Sequence, residues 1–290
     1  MLRCCGVQAL WLRDSTNQVL PYMRFVAEDP PLGDLLCGLV RRQARSVLLD
    51  AYANAFNFNN SGAGHQDDVR QPPMSSGVYE GKYELDSLAA FLKLSRQYFN
   101  TSQDADCLLN VFDTSAPTAN TKPNFRSVEV PNNTAENTLD SSSSSISSSS
   151  RKRTRSTSSN DDDDGAPSLS PSLGCGIWVD AVARTLDVIE EQTLGTASLT
   201  DKGWWYTFQR TTQVASDTLS MNGRGPVAAN GTGLSQSWFR PSDDAQALPF
   251  HVPSNAMALV ELVEVNWKYQ LFAFMQLSKV SMLMSSCVPL

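Results

Sequence analysis

The run Pro31-Leu-Gly-Asp-Leu-Leu-Cys-Gly-Leu-Val-Arg-Arg-Gln-Ala-Arg-Ser-Val-Leu-Leu49 repeats its apolar side chains with a helical period. Leu32, Leu35, Leu36, Leu39, Val40, Val47 and Leu48 fall at i, i+3, i+4, i+7, with Arg41, Arg42 and Arg45 mostly off that stripe. The same signal recurs on both sides. Leu85, Leu88, Ala89, Leu92 and Phe99 mark a second helix, and Val182, Leu186 and Ile189 a third. Ser254 or Asn255 is placed to cap a fourth that starts near Ala256 and runs through Val260, Val263 and Trp267. Thr16–Ala27 reads as a shorter one. The segments between are polar, aromatic-rich loops without a run of alternating strands, so the expected fold class is all-α.

Composition sets the outer bounds. A chain of 290 residues, 41% apolar, has enough material for a sizeable core. With 23 basic and 30 acidic residues its net charge is −7, which argues against a nucleic-acid partner, since tracking phosphates needs a basic face. His65 and His251 are the only histidines, and the six cysteines contain no C-x-x-C, so no metal site is expected. The cysteines are too sparse for a disulfide scaffold and leave the compartment open. Four Asn-x-Ser/Thr sequons (Asn59, Asn100, Asn132, Asn230) are about what this composition yields by chance. Ala256–Met284 is apolar but carries Glu261, Glu264, Lys268 and Lys279. Its longest uncharged run is about half of the ~20 residues a span requires, so a buried helix and no membrane span are expected.

Composition also divides the chain. Residues 102–173 turn Ser-, Thr-, Asn- and Pro-rich, with nine serines in Ser141–Ser150, then Arg151-Lys-Arg-Thr-Arg155 and Asp161–Asp164. Such a stretch buries too little apolar surface to offset its ordering entropy. The expected organisation is a helical part over 1–101, a disordered low-complexity insertion over 102–173, and a helical continuation over 174–290.

The chemistry sits in the loops. Trp11-Leu-Arg-Asp14 joins an aromatic face, a guanidinium fork and a carboxylate; Asn54 and Asn57 lie between Tyr52 and Phe56. Lys82-Tyr-Glu84-Leu-Asp86 places two carboxylates before a helix, and Phe239-Arg-Pro-Ser-Asp-Asp244 ends in a carboxylate pair. Aromatic faces suit the C–H side of a sugar ring, and Asp, Asn and Arg suit its vicinal hydroxyls. Two carboxyls in different environments can also divide acid and base roles. Taken singly, each motif also has a structural reading: a core tryptophan beside a surface ion pair, or a solvated or helix-capping Asp243-Asp244.

Together these motifs resemble glycoside hydrolase family 125, the inverting exo-α-mannosidases. The matching stretches are Ala9–Gln18, Arg41–Ala44, Asp50–Asn57, Lys82–Ser87, Asp217–Leu219, Gly223–Pro226, Thr232-Gly233, Phe239–Ala245 and Val252–Asn255, in the family's order. The resemblance implies an (α/α)6 toroid, here partial and interrupted by the insertion, whose funnel takes a mannose-terminated glycan, by preference α-1,6-linked, without metal or cofactor. It assigns the general acid to the Arg240–Asp244 motif, with Asp244 favoured and Asp243 the alternative. It makes Trp11, Arg13, Asp14, Asn54, Asn57, Lys82, Glu84, Asp86, Arg240 and Asn255 candidates for sugar contacts or their support. Three departures stand out: Gly81 where the family usually has Arg, Gln236-Ser237-Trp238 where a Trp-Ser pair is usual, and Ala256-Met257 after Pro-Ser-Asn. The chain also reads as cut at both ends, without a match to the region that carries the family's general-base glutamate. A weakly active or inactive glycosidase is expected, or else a non-catalytic mannose-binding remnant.

Overall fold

Helix α1 (Leu12–Val19) and helix α2 (Pro30–Leu49) are joined by a 3-10 turn over Leu20–Phe25. These and the elements below come from a computed structural model, which describes residues 9–109, 176–196 and 204–265. Asp29 caps α2 by accepting from the Leu32 amide at 3.1 Å, and Pro30 and Pro31 fill the first turn, where a missing N–H costs nothing. The stripe seen in the sequence faces inward at Leu36, Leu39, Val40 and Val47, whereas Leu35 is exposed. Helix α3 (Leu85–Ser102) packs on α1 and α2, and helix α5 (Ile177–Glu191) packs on α2 and on the short helix α4 (Ala105–Leu109). The buried Gln43 of α2 ties that helix to α1, its Nε2 donating to Leu12 O, Ser15 Oγ and Thr16 Oγ1 at 2.8–3.0 Å.

The helical framework carries strands that the loops did not advertise. β1 (Ala9–Trp11), β2 (Ala55–Asn57) and β4 (Val78–Glu80) form an antiparallel sheet in the order β1-β2-β4; β3 (Val69–Gln71) pairs antiparallel with β5 (Thr207–Gln209). Each is three residues long, too short to show alternation. The architecture is therefore mainly helical with two small sheets, rather than strictly all-α.

Helix boundaries also move. The helix expected over Thr16–Ala27 begins at Leu12, directly after β1. The fourth helix covers 252–265 among the described residues, so Ser254 and Asn255 lie inside its first turn instead of capping it. Pro253 belongs in that turn for the same reason as Pro30 and Pro31. Nor is this helix buried all round: Ser254, Ala258, Glu261 and Val265 face inward, while Leu259, Val260 and Val263 are more than half exposed. Glu261 faces the core because Arg96 of α3 grips it with two hydrogen bonds, at 2.6 and 3.0 Å. Past residue 101 the chain continues through the end of α3 and α4; the rest of the proposed insertion, and Trp267 of the fourth helix, lie outside the described residues.

Cys37 of α2 and Cys107 of α4, 70 positions apart, form a disulfide with a Cα–Cα distance of 5.8 Å. Cys4, Cys5, Cys175 and Cys287 lie outside the described residues. A cross-link over a loop of this length stabilises mainly by restricting the unfolded chain, and such bonds persist in oxidising surroundings. Replacing both cysteines by serine is expected to lower stability by about 2–4 kcal/mol, read as a fall in denaturant midpoint relative to the oxidised protein. Identical midpoints would mean that the sulfurs are not bonded in solution.

Candidate active site

Arg13, in the first turn of α1, reaches across to the start of α3. Its Nη1 donates to Glu84 Oε2 at 2.7 Å and to Asp86 Oδ2 at 3.0 Å. Both carboxylates stand at the amino end of α3, where the helix dipole favours negative charge. Ser87 Oγ adds a hydrogen bond to Glu84 Oε2 at 2.9 Å, and Ser254 Oγ one to Asp86 Oδ1 at 3.3 Å. The motifs around residues 13, 84 and 254 thus meet at one point.

A second knot adjoins it. Asn54, just before β2, donates through Nδ2 to Glu80 Oε2 at 3.1 Å and to Asp243 Oδ1 at 3.3 Å, while its buried Oδ1 has no hydrogen-bond partner. Lys82, 2% exposed, donates to Asp217 Oδ1 at 2.7 Å and to the Asp243 backbone carbonyl at 2.8 Å, and lies 3.6 Å from Glu80. Arg210 holds both Asp68 oxygens at 2.7 Å and reaches Glu80 at 3.0 Å and Asp217 at 3.3 Å. Asp243 adopts a left-handed backbone (φ 64°), sparsely populated for a residue with a side chain.

Charge is unevenly balanced here. Burial pushes Glu84 well above the ordinary carboxyl range; Arg13 opposes the shift, and Asp86 and Asp243 add to it. One guanidinium cannot neutralise three carboxylates, so the surplus favours a held proton. Asp243 is raised by burial and then by Glu80, and it lies within hydrogen-bonding reach of Glu84. Asp217 is lowered instead: Lys82 and Arg210 outweigh the cost of its partial burial. Asp244 is also held low, by Ser242 and Ser216 and by Arg240, whose Nη2 donates to Oδ2 at 2.9 Å.

The sequence candidates therefore separate by geometry. Arg13, Asn54, Lys82, Glu84, Asp86 and Asp243 are brought together. Asp14 sits beside Arg13, 3.5 Å from Nη2, with a third of its side chain exposed. Trp11 is half-buried and meets Tyr79 edge-on at 5.5 Å. Asp244 and Arg240 pair with each other toward solvent. Asn57 is turned away as a clamp, its Nδ2 donating to the carbonyls of Ala63, Ser76 and Val78. Asn255 clamps too, between Ser235 and His251. Tyr52, Tyr83, Tyr206 and Trp238 are buried and pack on one another, Tyr52 stacked on Tyr206 and the other pairs tilted, with ring centroids 5.2–6.0 Å apart. Glu80, Asp217, Asp68 and Arg210 were not singled out as chemistry from the sequence. Asn57→Ala is expected to cost about 1–3 kcal/mol in a denaturant melt and to leave sugar binding unchanged. Lost binding at intact stability would put Asn57 in the site.

Over residues 4–168 and 166–281 the chain matches the family described as metal-independent α-mannosidases. It belongs to glycoside hydrolase family 125. Meiotically up-regulated gene 157 protein of Schizosaccharomyces pombe is 30% identical over 276 residues, which is 91% of this chain and 41% of that protein. A similar solved structure is a metal-independent α-mannosidase of Streptococcus pneumoniae in a non-productive complex with α-1,6-mannobiose. The two share 25% identity at a TM-score of 0.63, over 97% of this chain and 48% of that one. The chain thus spans less than half the length of both relatives. Gly81, where family 125 usually carries arginine, is packed over by another arginine: a Cβ there would lie 3.0 Å from Arg70 and 2.4 Å from Met74 Sδ. Arg70 itself bonds the Tyr52 carbonyl at 3.0 Å and pairs with Asp50.

Proposed function

We propose that this chain carries the sugar-binding and proton-donating half of a family 125 pocket, built on part of an (α/α)6 toroid and taking the terminal α-mannose of a neutral glycan. What supports this most is Asp243, held by Asn54 and facing Glu84, on a segment 189 positions from Asn54. In this reading Asp243 is the general acid. Burial and Glu80 raise its carboxyl, whereas Asp244 is paired with Arg240 and Ser242, which hold its carboxyl low. The unpartnered Oδ1 of Asn54 and Oε1 of Glu84 accept sugar hydroxyls, which relieves the cost of leaving them dry. Arg13, Asp14 and Asp86 complete the hydroxyl contacts, and the half-buried Trp11 supplies the aromatic face.

Inverting hydrolysis needs a second carboxyl roughly 6.5–9.5 Å from the acid to activate water. Glu80, Glu84 and Asp86 are bound to cations, and Glu261 is locked by Arg96, so none is a free base. On these described residues, binding of mannose with little or no turnover is the proposed behaviour. Calorimetric titration with α-1,6-mannobiose tests this: saturable binding that disappears in Asp14→Ala, with the sugar recovered intact, is the expected outcome. Rapid release of mannose with inverted configuration would refute the absence of a base, and no binding at all would leave a helical scaffold without a sugar site.

The apolar stripe of Leu259, Val260 and Val263 bears on solution behaviour. An uncovered row of this kind favours self-association. The chain is expected to elute above its monomer mass in size-exclusion chromatography with light scattering; a stable monomer would contradict this.

A further inference from the structure

We propose that Glu80 is a positioning residue for the Asp243 carboxyl: it anchors the Asn54 amide that grips that carboxyl, and it sets a fixed negative charge on the far side of the same amide. This rests on the reading of Asp243 as the acid, and it extends that reading to a residue two positions before the matching Lys82–Ser87 stretch.

The geometry is a chain of three groups. Glu80 Oε2 takes one hydrogen of Asn54 Nδ2 at 3.1 Å, and Asp243 Oδ1 takes the other at 3.3 Å. An amide has two N–H donors at a fixed angle, so anchoring one fixes the direction of the other. Glu80 is in turn fixed through Oε1, by Arg210 at 3.0 Å and Lys82 at 3.6 Å, with His65 Nε2 at 3.8 Å. Lys82 closes the circuit by holding the Asp243 backbone carbonyl, which stabilises the left-handed turn. The charged groups facing Asp243 are thus Glu80, Glu84, Lys82 and Arg13. Glu80 favours its proton, whereas Lys82, Arg13 and the hydrogen bond with Glu84 oppose it; Arg210 and Asp217 pair with Glu80 and Lys82. An acid that must stay protonated near neutral pH gains from a fixed anion nearby.

Carbon-13 carboxyl titration of the full chain, with Asp243 assigned through Asp243→Asn, reads the effect without any turnover. In the parent the Asp243 midpoint lies above the ordinary aspartate range; in Glu80→Gln it is expected to fall by about one pH unit. Glu80→Asp keeps the charge and should keep the midpoint raised, which a merely structural role for Glu80 does not require. If Glu80→Gln fails to fold because Arg210 is left in surplus, Glu80→Gln/Arg210→Gln removes both charges and is expected to show the same fall. An unchanged midpoint in a folded Gln variant overturns the proposal. Loss of α-1,6-mannobiose binding by Asp14→Ala reports separately on the sugar-site reading, so the two failures are distinguishable.

Discussion

In concentrated azide the chain is expected to cleave α-1,6-mannobiose that it leaves intact in water, and Asp243→Asn is expected to slow that reaction by ~10²–10⁴-fold. Azide is already anionic and needs no base. Its nitrogen bonds the anomeric carbon as the glycosidic C–O bond breaks, and the Asp243 proton passes to the leaving oxygen, giving β-mannosyl azide and mannose. The contrast with the neighbouring residue carries the test. Asp244→Asn should leave the rate within a few-fold, because Asp244 is paired with Arg240 and Ser242 and ionises readily. The reverse pattern would move the acid to Asp244.

Arg13→Ala is expected to be the most destabilising single substitution at the site. The Glu84 side chain is fully buried and that of Asp86 is 4% exposed, and both depend on the same guanidinium. Removing the cation leaves two buried anions, at a cost of about 3–5 kcal/mol. The pH dependence gives the cause. Glu84 is already raised by burial with Arg13 opposing the shift, so without the cation its protonated form is the one the fold tolerates. The penalty is therefore small below roughly pH 4 and grows as pH rises through the raised folded values. Arg13→Lys should recover only part of the loss, because a point charge cannot bridge two acceptors as the planar fork does. Denaturant melts of the three proteins at acid and neutral pH check this; a penalty equal at both would point to lost packing instead.

Much of the helical framework was legible, because period is a local property. Leu36, Val40 and Val47 lie on the stripe their spacing defines, as do Leu88 and Leu92. The strands were not, since three residues carry no alternation. The segment Phe239–Asp244 announced a carboxylate pair, but not which member faces inward; that depends on the positive φ of Asp243, set by Lys82 and Asn54 from distant segments. The same distance hid Glu80, Asp217 and Arg210, whose partners lie 130 or more positions away in two of three cases. Cys37 and Cys107 were invisible as a pair for that reason. For Asn57 and Asn255 the sequence leaves contact and support equally open, and their amide Nδ2 groups go to backbone carbonyls.

One measurement bears most directly on the half-site reading: amide and side-chain NMR of the labelled chain titrated with α-1,6-mannobiose, with the sugar's anomeric protons followed in the same tube. Saturable shifts converging on Arg13, Asn54, Glu84 and Asp243, while the disaccharide stays whole, are the result expected here. Shifts scattered over unrelated surfaces, or none up to saturating sugar, would contradict it.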